Sequence, residues 1–170
     1  MFVSIRPEEL DGNVFSLIGR DWMLLTAENL EGKFNSMTAS WGGLGVLWGK
    51  PVCYCFVRPQ RYTHEFSEAG QHMTACFFTP DYRKALTFCG RNSGRDVDKA
   101  KECALTPVRH TEGGVYYKEA RLVLRMRKLY TDRIRPEGFA DAALLGNYEN
   151  NDFHTVYVYE IEEVLVRENA

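Results

Sequence analysis

Hydroxyl side chains alternate along residues 35–41, at Ser36, Thr38 and Ser40. Because successive side chains of a β-strand point to opposite faces, an extended chain here places the three hydroxyls on one face. A row of hydroxyls can donate hydrogen bonds to the polar edge of a ring compound. The segment therefore predicts a ligand-binding strand, whose opposite face carries Met37, Ala39 and Trp41.

A second group of polar residues stands just ahead of a predicted helix. It contains Arg58, Arg61 and Thr63, with Tyr62 between the last two. A terminal phosphate carries roughly −1.5 to −2 charges, and arginine offers a planar fork that matches phosphate oxygens. The first amides of the helix, with Thr63 as its N-cap, would add oriented donors. From the residues alone, a phosphate site and two solvated arginines beside an ordinary helix cap are equally supported.

A third polar group occupies the turn at Ser93, Gly94 and Arg95, followed by Lys99. Taken by itself, this group is typical of a polar loop between two helices.

The spacing of the glycines and of the cysteines argues against a dinucleotide-binding site and a metal site. The run from Gly43 resembles the start of a dinucleotide fingerprint, but Trp48 stands where its third glycine belongs, and no βαβ unit surrounds it. The glycines also fit a bend where a barrel strand turns a corner. The cysteines lack the spacing of zinc ligands, so no metal site is predicted.

Composition limits the function classes. A chain of 170 residues, 45% hydrophobic and 26% charged, is sufficient for a single domain over residues 1–170. The net charge of −2 gives no basic field for nucleic acid. No apolar run reaches membrane-spanning length, and no signal peptide is evident. Five cysteines in apolar surroundings suggest reduced thiols, so we expect a cytoplasmic protein without nucleic-acid or membrane partners.

Periodicity and turn residues predict a mainly β fold with inserted helices. Residues up to about Gly19 should form an N-terminal loop with a brief helical turn. Strands are predicted at residues 22–27, 33–41, 52–57, 71–78, 115–117, 120–130 and 155–166. Helices are predicted at residues 63–69, 79–89, 96–103 and 136–148. Six or seven strands with peripheral helices suit a closed or split β-barrel.

Three of these segments together resemble the flavin reductase-like family of FMN-binding split β-barrels, which includes flavoredoxin. They read Asn-Ser-Met-Thr-Ala-Ser-Trp-Gly at residues 35–42, Trp-Gly-Lys-Pro at 48–51 and Phe-Val-Arg-Pro-Gln-Arg-Tyr-Thr at 56–63. The similarity continues through Phe-Cys-Gly-Arg-Asn-Ser-Gly-Arg-Asp at 88–96 to the last strand, so it covers most of the chain.

The resemblance implies FMN as cofactor, a split barrel and a homodimer with the flavin near the subunit interface. It also implies a histidine entering the last strand, which is His154, on the nicotinamide side of the flavin. Tyr159 stands where the family often has a glycine, and its bulk would prevent close backbone approach there. The implied cofactor contacts are Asn35, Ser36, Met37, Thr38, Ala39, Ser40, Trp41, Arg58, Arg61, Tyr62, Thr63, Cys89, Gly90, Ser93, Gly94 and Lys99.

The function implied by the resemblance is a flavin reductase that passes a hydride from NADH or NADPH to the flavin N5 atom. The cofactor would carry the chemistry, while the protein holds the rings in contact. Two alternatives stay open: a flavoredoxin-like electron carrier with a redox partner protein, and a non-catalytic FMN-binding module.

Overall fold

The computed structural model describes residues 1–168 as a β-rich domain, so the last two residues of the predicted domain lie outside the described part. Three short α-helices are inserted between strands: α1 at Tyr62–Ala69, α2 at Arg83–Arg91 and α3 at Lys99–Glu102. The strands are β1 Phe2–Ile5, β2 Met23–Glu28, β3 Phe34–Ala39, β4 Gly42–Leu47, β5 Lys50–Val57, β6 His72–Phe77, β7 Pro107–Arg109, β8 Val115–Tyr117, β9 Leu122–Arg133 and β10 Thr155–Arg167.

Eight of the strands form one antiparallel sheet in the order β3-β2-β6-β9-β10-β5-β4, with β1 added to β10. The prediction of a mainly β fold is confirmed. Closure of the sheet is not present among residues 1–168, because the hydrogen-bonded order stops at β3 on one side and at β4 on the other. The last strand, β10, lies in the middle of this sheet, between β9 and β5.

Three strands lie where the sequence did not predict them: β1, β4 and β7. The glycine run that we interpreted as a bend is strand β4, which pairs with β5 from Gly42↔Cys55 to Leu47↔Lys50. The hairpin turn is Trp48-Gly49, with positive φ angles of 54° and 70°. Two residues with positive φ match the twist of the flanking strands, and glycine adopts this conformation without strain.

The helices differ from prediction at their ends. Helix α1 begins at Tyr62 with Arg61 as its N-cap, so Thr63 lies inside the first turn. Helix α2 follows a 3-10 turn at Pro80–Tyr82 and continues through Gly90 to Arg91. The predicted helix at residues 136–148 consists of two 3-10 segments, Pro136–Gly138 and Ala142–Tyr148. The N-terminal region contains a π-helical segment, Ser16–Asp21, in addition to a 3-10 turn at Pro7–Glu9.

Apolar side chains pack on both faces of the sheet. The predicted inward set of β9, Leu122, Leu124 and Met126, is buried in the main cluster together with Met37 and Ala39 of β3. Tyr159 belongs to the same cluster and is fully buried. Its side chain is therefore a core residue, and the expected effect of its bulk on a ligand stays a prediction.

Among residues 1–168, no helix combines the length and the apolar character needed to cross a membrane. The five cysteines are free thiols, and four of them are buried.

Candidate functional site

A cavity of about 230 Å³ lies where β3 runs into β4, and we call it the aromatic cavity. Trp41, which is 49% exposed, forms part of it, with its ring 5.5 Å from that of His154. The ring of Phe56 lies 6.2 Å from the same histidine. Such walls suit a flat ring compound. The lining residues are Met37, Thr38, Ala39, Ser40, Trp41, Phe56, Arg58, Arg61 and His154.

The imidazole of His154 is held by Tyr148, whose hydroxyl oxygen lies 2.8 Å from Nδ1. Burial, followed by the positive charge of Arg58, lowers the pKa of His154 to about 4, so the ring is neutral at neutral pH. Burial raises the pKa of Tyr148, so its hydroxyl stays protonated, and the direction of its hydrogen bond with Nδ1 depends on the tautomer of the imidazole. Sequence reasoning missed Tyr148, because nothing near residue 148 indicated a contact with residue 154.

A second cavity of about 140 Å³ lies beside the first, and we call it the cationic cavity. Arg61 lines both cavities, which makes them neighbours. The Nη2 atom of Arg61 lies 3.4 Å from the carbonyl oxygen of Cys89. Lys99 Nζ donates to the same oxygen at 2.9 Å and to the carbonyl oxygen of Ser36 at 2.7 Å. The lining residues are Gln60, Arg61, Tyr62, Gly90, Arg91, Asn92, Ser93 and Lys99.

Arg61 and Lys99 form no ion pair with a carboxylate of residues 1–168. Burial lowers the pKa of Arg61, and burial together with the charge of Arg61 lowers the pKa of Lys99 to about 8. Two neighbouring cations without counter-charges attract an anion, because an anion would offset both their desolvation and their mutual repulsion. The cationic cavity is therefore an anion site by its charge and its donors.

Two hydroxyls of the predicted row form hydrogen bonds within the protein. Thr38 Oγ1 donates to the carbonyl oxygen of Leu86 on α2 at 2.5 Å. Ser36 Oγ lies 2.8 Å from Thr26 Oγ1 and 2.7 Å from the Tyr117 hydroxyl. Thr38 nevertheless borders the aromatic cavity, as does Ser40. Strand β3 also offers the cavity a free edge, since among residues 1–168 it pairs only with β2.

Arg58 lies at the aromatic cavity, but its guanidinium is engaged. Nη1 lies 2.5 Å from Asp152 Oδ2, and Nη2 donates to the carbonyl oxygen of Asn147 at 2.9 Å. Its side chain also packs over the ring of Tyr148 at 5.0 Å. Arg58 therefore anchors residues 147–152 against β5, and its charge is already balanced by a carboxylate.

Thr63 and Asn35 bind each other. Thr63 is fully buried, and its Oγ1 accepts a hydrogen bond from Asn35 Nδ2 at 2.7 Å. Gly94 lies so close to Asn35 that an added Cβ would stand 1.8 Å from Oδ1, so a larger residue there would have to displace the Asn35 side chain from Thr63. These contacts tie α1 and the loop after α2 to β3. Thr63 borders neither the aromatic nor the cationic cavity.

The remaining predicted residues divide between the cavities. Gly90, Ser93 and Tyr62 line the cationic cavity, and Lys99 lines it together with a larger, open cavity of about 630 Å³. That larger cavity also receives Asn35, Ser36 and Gly94. Cys89 contributes its carbonyl oxygen. Its buried thiol lies 3.8 Å from Cys103 Sγ, and burial raises its pKa to about 12.

Structural comparison finds the same fold in flavin-related proteins. Flavoredoxin of Desulfovibrio vulgaris (Miyazaki F) has a TM-score of 0.68 and 20% identity, covering 86% of this chain and 69% of that one. Flavoredoxin from Methanosarcina acetivorans has a TM-score of 0.68 and 22% identity, with 96% and 77% covered. The styrene monooxygenase flavin reductase from Pseudomonas putida S12 has a TM-score of 0.62 and 15% identity, with 88% and 80% covered.

No curated protein sequence matches the chain significantly. The family described as "Flavin reductase like domain" matches residues 15–170, which is nearly the whole chain. The match contains β2 to β10, all three helices and both cavities described above. The chain belongs to the flavin reductase-like domain family.

Proposed function

We propose that the chain binds FMN across the aromatic and cationic cavities and reduces flavin with NADH or NADPH. The observation that carries the proposal is Arg61, a cation without a carboxylate partner in residues 1–168, at the junction of a ring-sized aromatic cavity and an anion site. A phosphate-bearing ring compound needs these two environments side by side. The names of the structural relatives, which include flavoredoxins and a flavin reductase, agree with this choice.

The residues present fit FMN. Arg61 and Lys99 would hold the phosphate, and Ser93 stands among the lining residues as a further donor. The free edge of β3 would meet the polar edge of the ring system with backbone N–H and C=O groups, which are obligatory hydrogen-bonding groups. Trp41 and Phe56 would contact the apolar part of the ring system.

FMN, when bound, supplies the atom that accepts a hydride. The chain's own contribution is to position the reactants and exclude water. Neutral His154 would orient the electron donor at the mouth of the aromatic cavity. Tyr148 holds the imidazole through Nδ1, and the Arg58–Asp152 ion pair holds the segment that carries Tyr148. Hydride transfer to the flavin requires no carboxylate or thiolate base from the protein.

The test is spectroscopic. Purified protein is loaded with FMN under anaerobic conditions, and NADH and NADPH are added separately. We expect the oxidised flavin absorption to bleach with at least one donor, and turnover to occur with excess free flavin. Absence of FMN binding, or binding without reduction by either nucleotide, contradicts the reductase proposal.

A second function is favoured by the two flavoredoxins among the structural relatives. An electron carrier would keep FMN bound and exchange electrons with a protein partner. Rapid reduction of the bound flavin by a reduced ferredoxin-type protein, without NAD(P)H turnover, would identify the carrier. Binding with neither activity would identify a non-catalytic FMN module.

A homodimer is part of the proposal. The hairpin of β4 and β5 and its surroundings expose several large apolar side chains, and β4 is an edge of the sheet. Exposed apolar groups along a free strand edge are typical of an association surface. Trp48→Asp should shift the mass measured by light scattering from dimer to monomer. The exposed side chains are Trp41 at 49%, Val46 at 75%, Trp48 at 59% and Tyr130 at 47%. A cytoplasmic location stays a prediction from the cysteine content.

A further inference from the structure

A separate cavity of about 380 Å³, which we call the arginine cavity, lies between the π-helical segment and the start of α2. Three arginines line it, Arg20, Arg83 and Arg121, together with a single acidic residue, Asp21. The remaining lining residues are Phe78, Thr79, Pro80 and Leu86. No residue of this cavity belongs to the aromatic or the cationic cavity.

The charges in the arginine cavity do not balance. Asp21 is the only carboxylate paired with its arginines in residues 1–168: Oδ1 lies 3.1 Å from Arg20 Nε, and Oδ2 lies 3.1 Å from Arg121 Nη2. Arg83 has no carboxylate partner in this part of the chain. The cavity therefore holds an excess of two positive charges. Like charges gathered in one concave site favour an anionic ligand, because the ligand relieves their repulsion.

Two of the three arginines, Arg83 and Arg121, are held by contacts within the protein. Arg83 stacks over the indole of Trp22 at 4.0 Å and donates from Nη2 to the carbonyl oxygen of Arg20 at 2.5 Å. Arg121 donates from Nε to the carbonyl oxygen of Phe78 at 3.1 Å. A guanidinium has five N–H donors, so each of these two keeps donors beyond the contacts described. A guanidinium held in one orientation loses little entropy when it binds a phosphate fork.

The arginine cavity adjoins the flavin-binding strand. Leu86, which lines the cavity, accepts the hydrogen bond from Thr38 of β3. On the other side, β2 begins directly after Trp22, and its first residue, Met23, pairs with Ala39. The two cavities are thus connected through Thr38, which borders the aromatic cavity and bonds to Leu86 of the arginine cavity.

We propose that the arginine cavity is a second anion site, built for a phosphate-bearing ligand such as one with a pyrophosphate group. The planar forks of Arg83 and Arg121 match the several oxygens of this group. Two sources share this chemistry: the phosphates of a nicotinamide dinucleotide and a free phosphorylated small molecule. This proposal is independent of whether FMN binds across the aromatic and cationic cavities.

The probe is inorganic pyrophosphate, titrated calorimetrically into full-length protein with its FMN site saturated. We expect one binding event that weakens with salt. Arg83→Gln should weaken it by roughly tenfold or more, since charge-assisted hydrogen bonds are lost. Arg20→Gln, at a side chain that is 74% exposed, should weaken it without affecting folding. The matched control is Arg135→Gln, which removes an exposed arginine outside all these cavities and should leave binding unchanged.

Competition identifies the source. Displacement of pyrophosphate by NADP⁺ supports the site and assigns it to the dinucleotide, whereas binding that NADP⁺ does not displace supports a separate phosphorylated ligand. The proposal is overturned if pyrophosphate does not bind, or if Arg20→Gln and Arg83→Gln bind it like the wild type. Loss of binding in Arg61→Gln but not in the two arginine-cavity variants also overturns it. None of these readouts uses flavin reduction, so failure here is distinct from failure of the reductase proposal.

Discussion

The Nζ atom of Lys99 lies 2.9 Å from the carbonyl oxygen of Cys89, at the C-terminal end of α2. The carbonyl partially compensates the buried ammonium group, but a carbonyl carries no net charge. The cationic cavity therefore contains a lysine whose protonation state is sensitive to its ligand, and this sensitivity can be measured.

FMN affinity should depend on pH through Lys99. Its pKa of about 8 lies below the ordinary value of 10.5, so the ammonium loses its proton as pH rises through 8. The phosphate becomes a dianion above pH ~6, so affinity should be highest between about pH 6 and 8 and fall above that range. Fluorescence titrations at a series of pH values measure this. Lys99→Gln should remove the fall above pH 8, and a fall of the same size in that variant contradicts the assignment.

The flavin-free protein gives an independent check on Lys99. Because its folded-state pKa is lowered, the unfolded chain binds more protons than the folded chain between pH 8 and 10.5. The Lys99 contribution to the free energy of unfolding must then increase as pH rises across this window. Urea unfolding of wild type and Lys99→Gln, compared at both ends of the window, isolates that contribution.

The phosphate should be recognised by Arg61 and not by Arg58. Arg61→Ala should weaken FMN by roughly tenfold or more, since a charge-assisted hydrogen bond contributes about 1.5–3 kcal/mol, and leave riboflavin almost unaffected. Arg58→Ala should instead lower the free energy of unfolding, because Asp152 would lose its ion-pair partner. Both variants are titrated with FMN and riboflavin. Equal affinity of the wild type for the two ligands would exclude a phosphate site.

His154 should act on the electron donor. His154→Ala is expected to slow the limiting rate of flavin reduction by about tenfold or more, with FMN affinity almost constant, because positioning acts on the reacting geometry. The wild-type rate should stay level between about pH 5 and 8, since a histidine with a pKa of about 4 remains neutral there. Tyr148→Phe removes the hydroxyl that holds the imidazole at Nδ1 and should slow the rate by a smaller factor. Stopped-flow reduction measures the rates of His154→Ala, of Tyr148→Phe and of the wild type across this pH range. An unchanged rate in His154→Ala would exclude His154 from the active site.

Thr38→Val should affect stability more than binding. The hydroxyl of Thr38 is used by Leu86, so its loss should lower the free energy of unfolding by about 1 kcal/mol. FMN affinity and midpoint potential should remain close to wild type, because the strand meets the ligand with its backbone edge. A large loss of FMN affinity in a stable Thr38→Val variant would restore the hydroxyl as a ligand contact. Ser40→Ala provides the comparison at the other hydroxyl of the row that lines the aromatic cavity.

Side-chain direction could be predicted from the sequence because it depends on local geometry. The alternation in β9 correctly placed Leu122, Leu124 and Met126 inside, and that in β3 correctly separated Met37 and Ala39 from the hydroxyls. Arg61 was singled out from its place at the start of a helix, whereas Arg58 and Thr63, predicted together with it, do not line the cationic cavity.

Contacts between distant segments could not be predicted in this way. The partner of Arg58 is Asp152, 94 residues away, and the partner of Thr38 is a backbone carbonyl on α2, 48 residues away. Periodicity shows which face a side chain occupies, but it does not show which strand forms the edge of a sheet or which helix covers a face. The hydroxyl row was therefore predicted as a ligand surface, although α2 and β8 use two of its three members.

The central place of β10 sets the order in which the sheet can be assembled during synthesis. Within residues 1–168, the sheet ladders connect β3, β2, β6 and β9 to β5 and β4 only through β10. Strand β10 and His154, which precedes it, are synthesised after all the other strands of this sheet. The join between the two parts of the sheet, and with it the placement of His154 beside Trp41 and Phe56, therefore forms only once β10 has been made.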